Sequence, residues 1–351
     1  MTEQKNIKVL IVDDSAIMRA LVLQVIEDAG GFEIVGNATN GKDALDSCMK
    51  LKPDVVVMDM VMGEYDGVMG TKLIMENCPT PILILTAMDN DNASPVMQAL
   101  KAGAYDYHKK PDRSLPNSDE MDARFIKKLR NCGNVQLEAI INKKEHSVNT
   151  QTHTFSSNLN YEIIVIGSST GGPGAVESVV TKLPGNLNVP VLIAQHMPPN
   201  FIQSFADRLD ELTDLKVCVG RNRTEIKPGH IYILASDGKN LIVKRNQETG
   251  KLIFLNTEEK FKDFNFPSAT GLMLSVIKIF KEKTIGVVLT GMGKDASVGI
   301  KAIKDAGGYT IAQSKETCVV YGMPGSSVEI GGVTKIVNLD EIGPFIVNCL
   351  E

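Results

Sequence analysis

Two groups of residues in this sequence have types and spacings suited to chemistry. The first centres on YEIIVIGSSTGGPG, residues 161–174, where a run of β-formers meets a turn of small residues. Gly167-x-Ser169-x-Gly171 has the spacing of a nucleophile elbow, a strand-to-helix turn that lifts a serine Oγ clear of a sheet. Such a turn also aims unpaired helix N-terminal amides at the same point. A hydrolytic serine needs a base, and the base needs a group to orient it. His196 follows the apolar run VPVLIAQ, and the turn Met197-Pro198-Pro199 after it starts a helical pattern. Asp295 follows TIGVVLTGMGK; a helix-capping aspartate is the bland alternative there. His230, in PGHIYIL, precedes a strand instead of ending one and is expected to be structural. Ser169, His196 and Asp295 each come off the end of a strand pattern, so they are the expected nucleophile, base and orienting acid.

The second group lies in the first 113 residues. Asp13 and Asp14 follow one apolar run, Asp59 ends another, Thr86 a third, and Lys110-Pro111 follows a fourth. Three carboxylates brought to adjacent strand ends repel one another, and a hard divalent cation such as Mg²⁺ offsets that repulsion. A metal-neutralised carboxylate beside a lysine and a hydroxyl suits the acceptance of a phosphoryl group.

The elements that must position these residues are strands alternating with helices. In the first region strands are expected at 7–12, 32–38, 55–58, 81–86 and 105–108, with helices at 16–28, 41–51 and 118–142 among those between and after them. Continuous apolar strands of this kind belong to a parallel sheet covered on both faces, whose functional residues gather at the strands' carboxyl ends. In the second region strands are expected at 189–194, 216–219, 231–235, 241–245, 252–255, 284–289 and 309–312, besides the one that ends at Gly167. Helices are expected at 175–183, 201–212, 270–281, 296–306 and 339–349. This again reads as a largely parallel, doubly wound α/β sheet, with an antiparallel hairpin inserted around 231–256. The fold class is therefore α/β throughout. A polar stretch without periodicity, residues 144–160, separates a domain at 1–143 from a domain at 161–351 and reads as a flexible linker. His146 and His153, within it, are expected to be solvated.

Bulk properties exclude several classes. A net charge of −5 gives no footing for nucleic acid. The acidity is concentrated in residues 1–113, with 17 acidic and 11 basic side chains. No apolar run approaches the roughly 20 residues that span a bilayer. The six cysteines are scattered without a CxxC pair, and the polar start MTEQKN lacks a signal segment, so reduced thiols in a cytoplasmic protein are expected. A dinucleotide site is disfavoured because GSSTGGPG does not fit GxGxxG and the next strand ends in Gln195-His196 with no acid. An ordinary α/β-hydrolase is disfavoured as well, since its triad runs serine, acid, histidine.

Residues 5–113 resemble a response-regulator receiver domain, a five-stranded flavodoxin-like fold. The resemblance implies Asp59 as phosphoacceptor, Asp13 and Asp14 with Asp59 as a Mg²⁺ pocket, and Thr86 with Tyr107 as the switch pair. Lys110 matches the lysine before a proline, where that family commonly has a cis bond, and Asp66-Gly67 matches the loop after the acceptor. Gly63 stands where the family usually has proline. The remainder is similar over its whole length to the catalytic domain of chemotaxis protein-glutamate methylesterases, through IGSSTGG, AQHMPPNF, PGHIYIL, LTGMGKDA and AQSKETCVVYGMP. That resemblance assigns Ser169, not Ser168, as nucleophile, with His196 and Asp295 completing the triad. Thr170 and Met292 would line the site, their backbone amides candidate oxyanion donors. Ala296 replaces the family's glycine, and a segment usually rich in Arg and His before a Pro-Ser reads KDFNFPSATG here, residues 262–271, around Pro267-Ser268. Neither departure is expected to touch the triad. Together the two resemblances imply a phosphorylation-regulated hydrolase of glutamyl methyl esters, also deamidating glutamines, on chemoreceptor cytoplasmic helices. They imply a chemotaxis histidine kinase as phosphodonor and no cofactor for hydrolysis. The alternative is a receiver-regulated binding or scaffold protein, or a related hydrolase with a target outside chemotaxis.

Overall fold

The computed structural model describes residues 6–87, 94–114, 118–135, 160–235, 237–261 and 266–351. It divides into two compact units, Met1–Glu145 and His146–Glu351. Of the linker expected at 144–160, residues 144–159, with His146 and His153, lie outside the described residues.

The first unit alternates β1 (Ile7–Val12), α1 (Ala16–Ala29), β2 (Phe32–Ala38), α2 (Gly41–Leu51), β3 (Val55–Asp59), α3 (Gly67–Asn77), β4 (Ile82–Thr86), α4 (Ser94–Lys101), β5 (Asp106–Lys109) and α5 (Ser118–Gly133). The strands form one parallel five-stranded sheet in the order β2-β1-β3-β4-β5. β3 is buried along its whole length, as a strand covered on both faces must be. Polar side chains start the helices: Ser15 accepts from the Met18 amide, Asn40 from those of Lys42 and Asp43, and Asp66 from that of Met69. The chain order reverses between β1 and β3, the position where parallel sheets open a crevice. α5 stops at Gly133, short of the expected 142, and residues 136–142 lie outside the described residues. A side chain at Gly133 would strike Ile7, so the last turn of α5 packs directly on the sheet.

The second unit contains β6 (Ile163–Ser168), α6 (Gly172–Val180), β7 (Val191–Gln195), α7 (Pro199–Leu212), β8 (Lys216–Gly220), β9 (His230–Leu234), β10 (Asn240–Arg245), β11 (Leu252–Thr257), α8 (Ala269–Phe280), β12 (Thr284–Val288), α9 (Ser297–Asp305), β13 (Tyr309–Gln313), α10 (Gly322–Glu329), β14 (Lys335–Val337) and α11 (Leu339–Leu350). Seven strands make a parallel sheet, β14-β13-β12-β6-β7-β9-β8. The antiparallel hairpin is β10-β11 alone; β9, expected to belong with it, lies in the main sheet between β7 and β8. One buried cluster joins β6, β7 and β9 to the hairpin and to α8 and α9, through Val165, Leu192, Tyr232, Phe254, Met273 and Ile300. Among the described residues no helix is long and apolar enough to cross a membrane. The six cysteines form no disulfide; Cys48, Cys132, Cys318 and Cys349 are buried as small core side chains.

Candidate functional site

β12, β6 and β7 are neighbours in the sheet, and the sequence's expected triad comes off the ends of these three strands. β6 delivers Ser168 and then Ser169. Ser168 is fully buried and donates its hydroxyl to Gln195 Oε1 at 2.6 Å, whereas Ser169 is half-buried. The Ser169 amide donates to Thr290 O at 3.0 Å, and its carbonyl accepts from the Gly172 amide at 2.8 Å. Gly171 takes φ +72°, left-handed backbone that favours glycine, and a Cβ there would lie 2.6 Å from Val319 Cβ. The elbow therefore needs its glycine twice over.

His196 follows β7, and its amide donates to Ser168 O at 3.0 Å. Its Nε2 lies 2.7 Å from Asp295 Oδ2. Asp295 is fully buried. Oδ2 also accepts from the Ala269 amide at 2.8 Å; Oδ1 accepts from the amides of Thr270 at 2.9 Å and Ala296 at 2.8 Å, and from Ser268 Oγ at 3.3 Å. The carboxylate thus caps the first turn of α8 from another part of the chain, where unpaired amides favour an anion. Burial alone would raise its pKa. The His196 contact and the Thr270 hydrogen bonds outweigh burial and hold it well below the usual carboxylate range. An ionised carboxylate only accepts, so Nε2 is the donor in this contact, and in the neutral ring the lone pair is then on Nδ1.

Thr170 is buried, its carbonyl accepting from Thr290 Oγ1 at 3.0 Å. Met292 is half-buried in the turn after β12. The preceding Gly291 packs on Ser169 so closely that a Cβ would fall 2.8 Å from Ser169 Cβ. His230 is half-buried at the start of β9, its Nδ1 2.9 Å from Pro228 O.

Of the two departures expected to stand clear of the triad, the one at Ala296 adjoins it. Ala296 bonds Asp295 through its amide; Ser268, Ala269 and Thr270, which follow the second departure, bond the same carboxylate, and residues 262–265 of that departure lie outside the described residues. Sequence reasoning also missed Gln195 as a bridge. Its Nε2 donates to both Ser169 O and His196 O, each at 2.9 Å. The available signal was a polar side chain closing an otherwise apolar, wholly buried strand.

In the first unit, oxygens of Asp13, Asp14 and Asp59 lie within 4.8 Å of one another. Lys110 Nζ is 2.8 Å from both Asp13 Oδ2 and Asp59 Oδ2, and its amide donates to Thr86 O at 2.9 Å. Burial raises the Asp59 pKa and the Asp13 charge adds to the rise; Lys110 opposes both without cancelling them. Burial would lower the Lys110 pKa, but hydrogen bonds to the two aspartates raise it overall. This excess of negative charge on hard oxygen donors fits a divalent cation of the Mg²⁺ type. Tyr107 is buried in β5, its carbonyl accepting from Lys128 Nζ at 2.9 Å. Thr86 is half-exposed at the end of β4. Gly63 takes φ +38°, a backbone closed to the proline usual there. Lys110–Pro111 is not cis; the cis peptide among the described residues is Phe266–Pro267.

An acidic pocket with a lysine on one parallel sheet, and serine, histidine and aspartate at three adjacent strand ends of another, define a receiver coupled to an α/β hydrolase-type domain. The family models agree: residues 9–115 match the response regulator receiver domain and residues 164–346 match CheB methylesterase. The chain is 36% identical over 346 residues to a protein-glutamate methylesterase/protein-glutamine glutaminase of Archaeoglobus fulgidus, covering 98% of each. It is 37% identical over 327 residues to one of Thermotoga maritima, covering 93% of each. The crystal structure of the Thermotoga maritima CheB methylesterase catalytic domain aligns with 54% of this chain and 98% of its own, at a TM-score of 0.51 and 38% identity. The chain belongs to the CheB methylesterase family, with a response-regulator receiver domain in front of the methylesterase domain.

Proposed function

We propose that this chain is a phosphorylation-regulated protein-glutamate methylesterase and glutamine deamidase, acting in the cytoplasm on chemoreceptor helices during chemotactic adaptation. Its receiver is residues 1–143, its linker 144–160 and its catalytic domain 161–351. The observation that carries the reading is the 2.7 Å contact between His196 and a buried, helix-capping Asp295, one strand away from Ser169. Ser169 Oγ attacks the ester carbonyl as His196 Nδ1 takes its proton. The tetrahedral oxyanion is received by the backbone amides of Thr170 and Met292. His196 returns the proton to the departing methoxide, methanol leaves, and an acyl-enzyme remains. Water then attacks, giving its proton to His196, and the glutamate side chain is released as Ser169 is reprotonated. Asp295 stabilises the imidazolium in both halves. A glutamine side chain passes through the same oxyanion, with ammonia as a leaving group that must be protonated, so deamidation is the slower reaction.

Asp59 is the phosphoacceptor and a chemotaxis histidine kinase the donor, with Lys110 beside the acceptor neutralising charge. Asp13, Asp14 and Asp59 would hold a Mg²⁺ ion, which would supply charge neutralisation for the phosphoryl oxygens. Thr86 and Tyr107 are the switch residues that report phosphorylation. The reading is tested by mass spectrometry of methylated receptor helices after incubation with the chain. Loss of glutamyl methyl groups and conversion of glutamine to glutamate are expected. Receptor binding without change of mass would leave a phosphorylation-driven binding protein instead.

A further inference from the structure

The turns that carry Ser169 and His196 are joined by one side chain, Gln195. It is 1% exposed at the end of β7. Its two amide hydrogens go to Ser169 O and His196 O, and its oxygen accepts from Ser168 Oγ at 2.6 Å. That set admits only one orientation. Turning the amide over would set its oxygen against two carbonyl oxygens, neither of which can donate to it. The surroundings leave it no second place either: a Cβ on Gly172 would fall 2.1 Å from Gln195 Oε1 and 3.0 Å from Ser168 Cβ.

Neither Ser168 nor Gln195 reaches solvent, so neither can meet a substrate. Both sit where the separation of nucleophile and base is decided. We propose that Gln195 is a positioning residue for hydrolysis: its amide fixes the spacing of the Ser169 and His196 turns, and Ser168 fixes the direction in which that amide faces. The proposal rests on Ser169 and His196 being nucleophile and base. It also gives the fully buried Ser168 a function distinct from that of its neighbour. A glutamine that only satisfied buried carbonyls would matter for folding and not for turnover per folded site.

The test uses the full chain and the variants Gln195→Met, Ser168→Ala and Gly172→Ala. Active sites are counted by labelling Ser169 with a fluorophosphonate, and kcat and KM are measured on methylated receptor membranes. Gln195→Met keeps length and removes the hydrogen bonds. It is expected to lower kcat per labelled site by about 10- to 100-fold, the scale of a misplacement of roughly 1 Å, with KM within about twofold. Gly172→Ala displaces the amide without altering it, and Ser168→Ala removes only its orienting donor. Both are expected to lower kcat in the same manner and by less. A reduced number of labelled sites that each turn over at the wild-type rate would mean a folding role alone and would overturn the proposal. Should Gln195→Met fail to fold, the other two variants decide by the same criterion. A wild type that neither releases methanol nor labels would overturn the hydrolase reading and this proposal together, whereas an active wild type with unaltered variants overturns this proposal alone.

Discussion

Asp295 concentrates the chemistry of the second unit at one buried carboxylate. It is kept ionised by His196, by amides of α8 and by the Ala296 amide, so it orients the imidazole across the physiological pH range. Asp295→Asn keeps the shape and loses the charge. It is expected to lower kcat by about 10³- to 10⁴-fold, read as methanol release per Ser169 labelled. The same carboxylate sets a pH dependence of stability. Its folded pKa lies below the unfolded value of about 4. Its contribution is therefore present above that unfolded value and is lost as pH falls toward the folded one. Urea unfolding of wild type and Asp295→Asn is expected to differ most near neutrality and to converge under acid conditions. A gap that widens as pH falls would contradict this assignment.

At the scale of elements, Ala296 carries the clearest local cost. It starts α9 with φ +74°, left-handed backbone that an alanine Cβ disfavours by about 1–2 kcal/mol. Glycine also outranks alanine at a helix N-cap, and the two effects together exceed the roughly 0.8 kcal/mol lost with one buried methyl. Ala296→Gly is expected to raise the melting temperature of the second unit by a few degrees in calorimetry; a fall would show that the methyl's packing dominates. Most elements were legible because their signals are local. The apolar runs of β1, β3, β6, β7 and β12 mark strands, and the polar residues closing them mark the carboxyl edge of each sheet, with Asp13 and Asp59 on the first and Ser169 and His196 on the second. The less legible elements lack such signals. β14 is three residues long with Ile336 exposed, and α10, GMPGSSVE, has the composition of a turn. β9 and β10 look alike in sequence, and only pairing partners far along the chain separate the parallel strand from the hairpin. The bridge through Gln195 and the cradle of Asp295 by residues 268–270 are tertiary contacts, which no spacing announces.

At the scale of the whole molecule, one chain carries a phosphoacceptor-type pocket in one unit and a hydrolase-type constellation in the other. Mg²⁺ binding to the crowded carboxylates is expected to raise the melting temperature of the first unit, by mass action on the folded state. The rise should shrink in Asp59→Asn, which removes one of the three charges; an undiminished rise would place the ion elsewhere. Phosphorylation in the first unit is expected to control turnover in the second. That control is tested most directly by methanol release from methylated receptor membranes, for wild type and Ser169→Ala, each with and without acetyl phosphate plus Mg²⁺. Release from wild type that the phosphodonor accelerates, and that Ser169→Ala abolishes in both conditions, is the expected result. Release that persists in Ser169→Ala, or that the phosphodonor leaves unchanged, would contradict it.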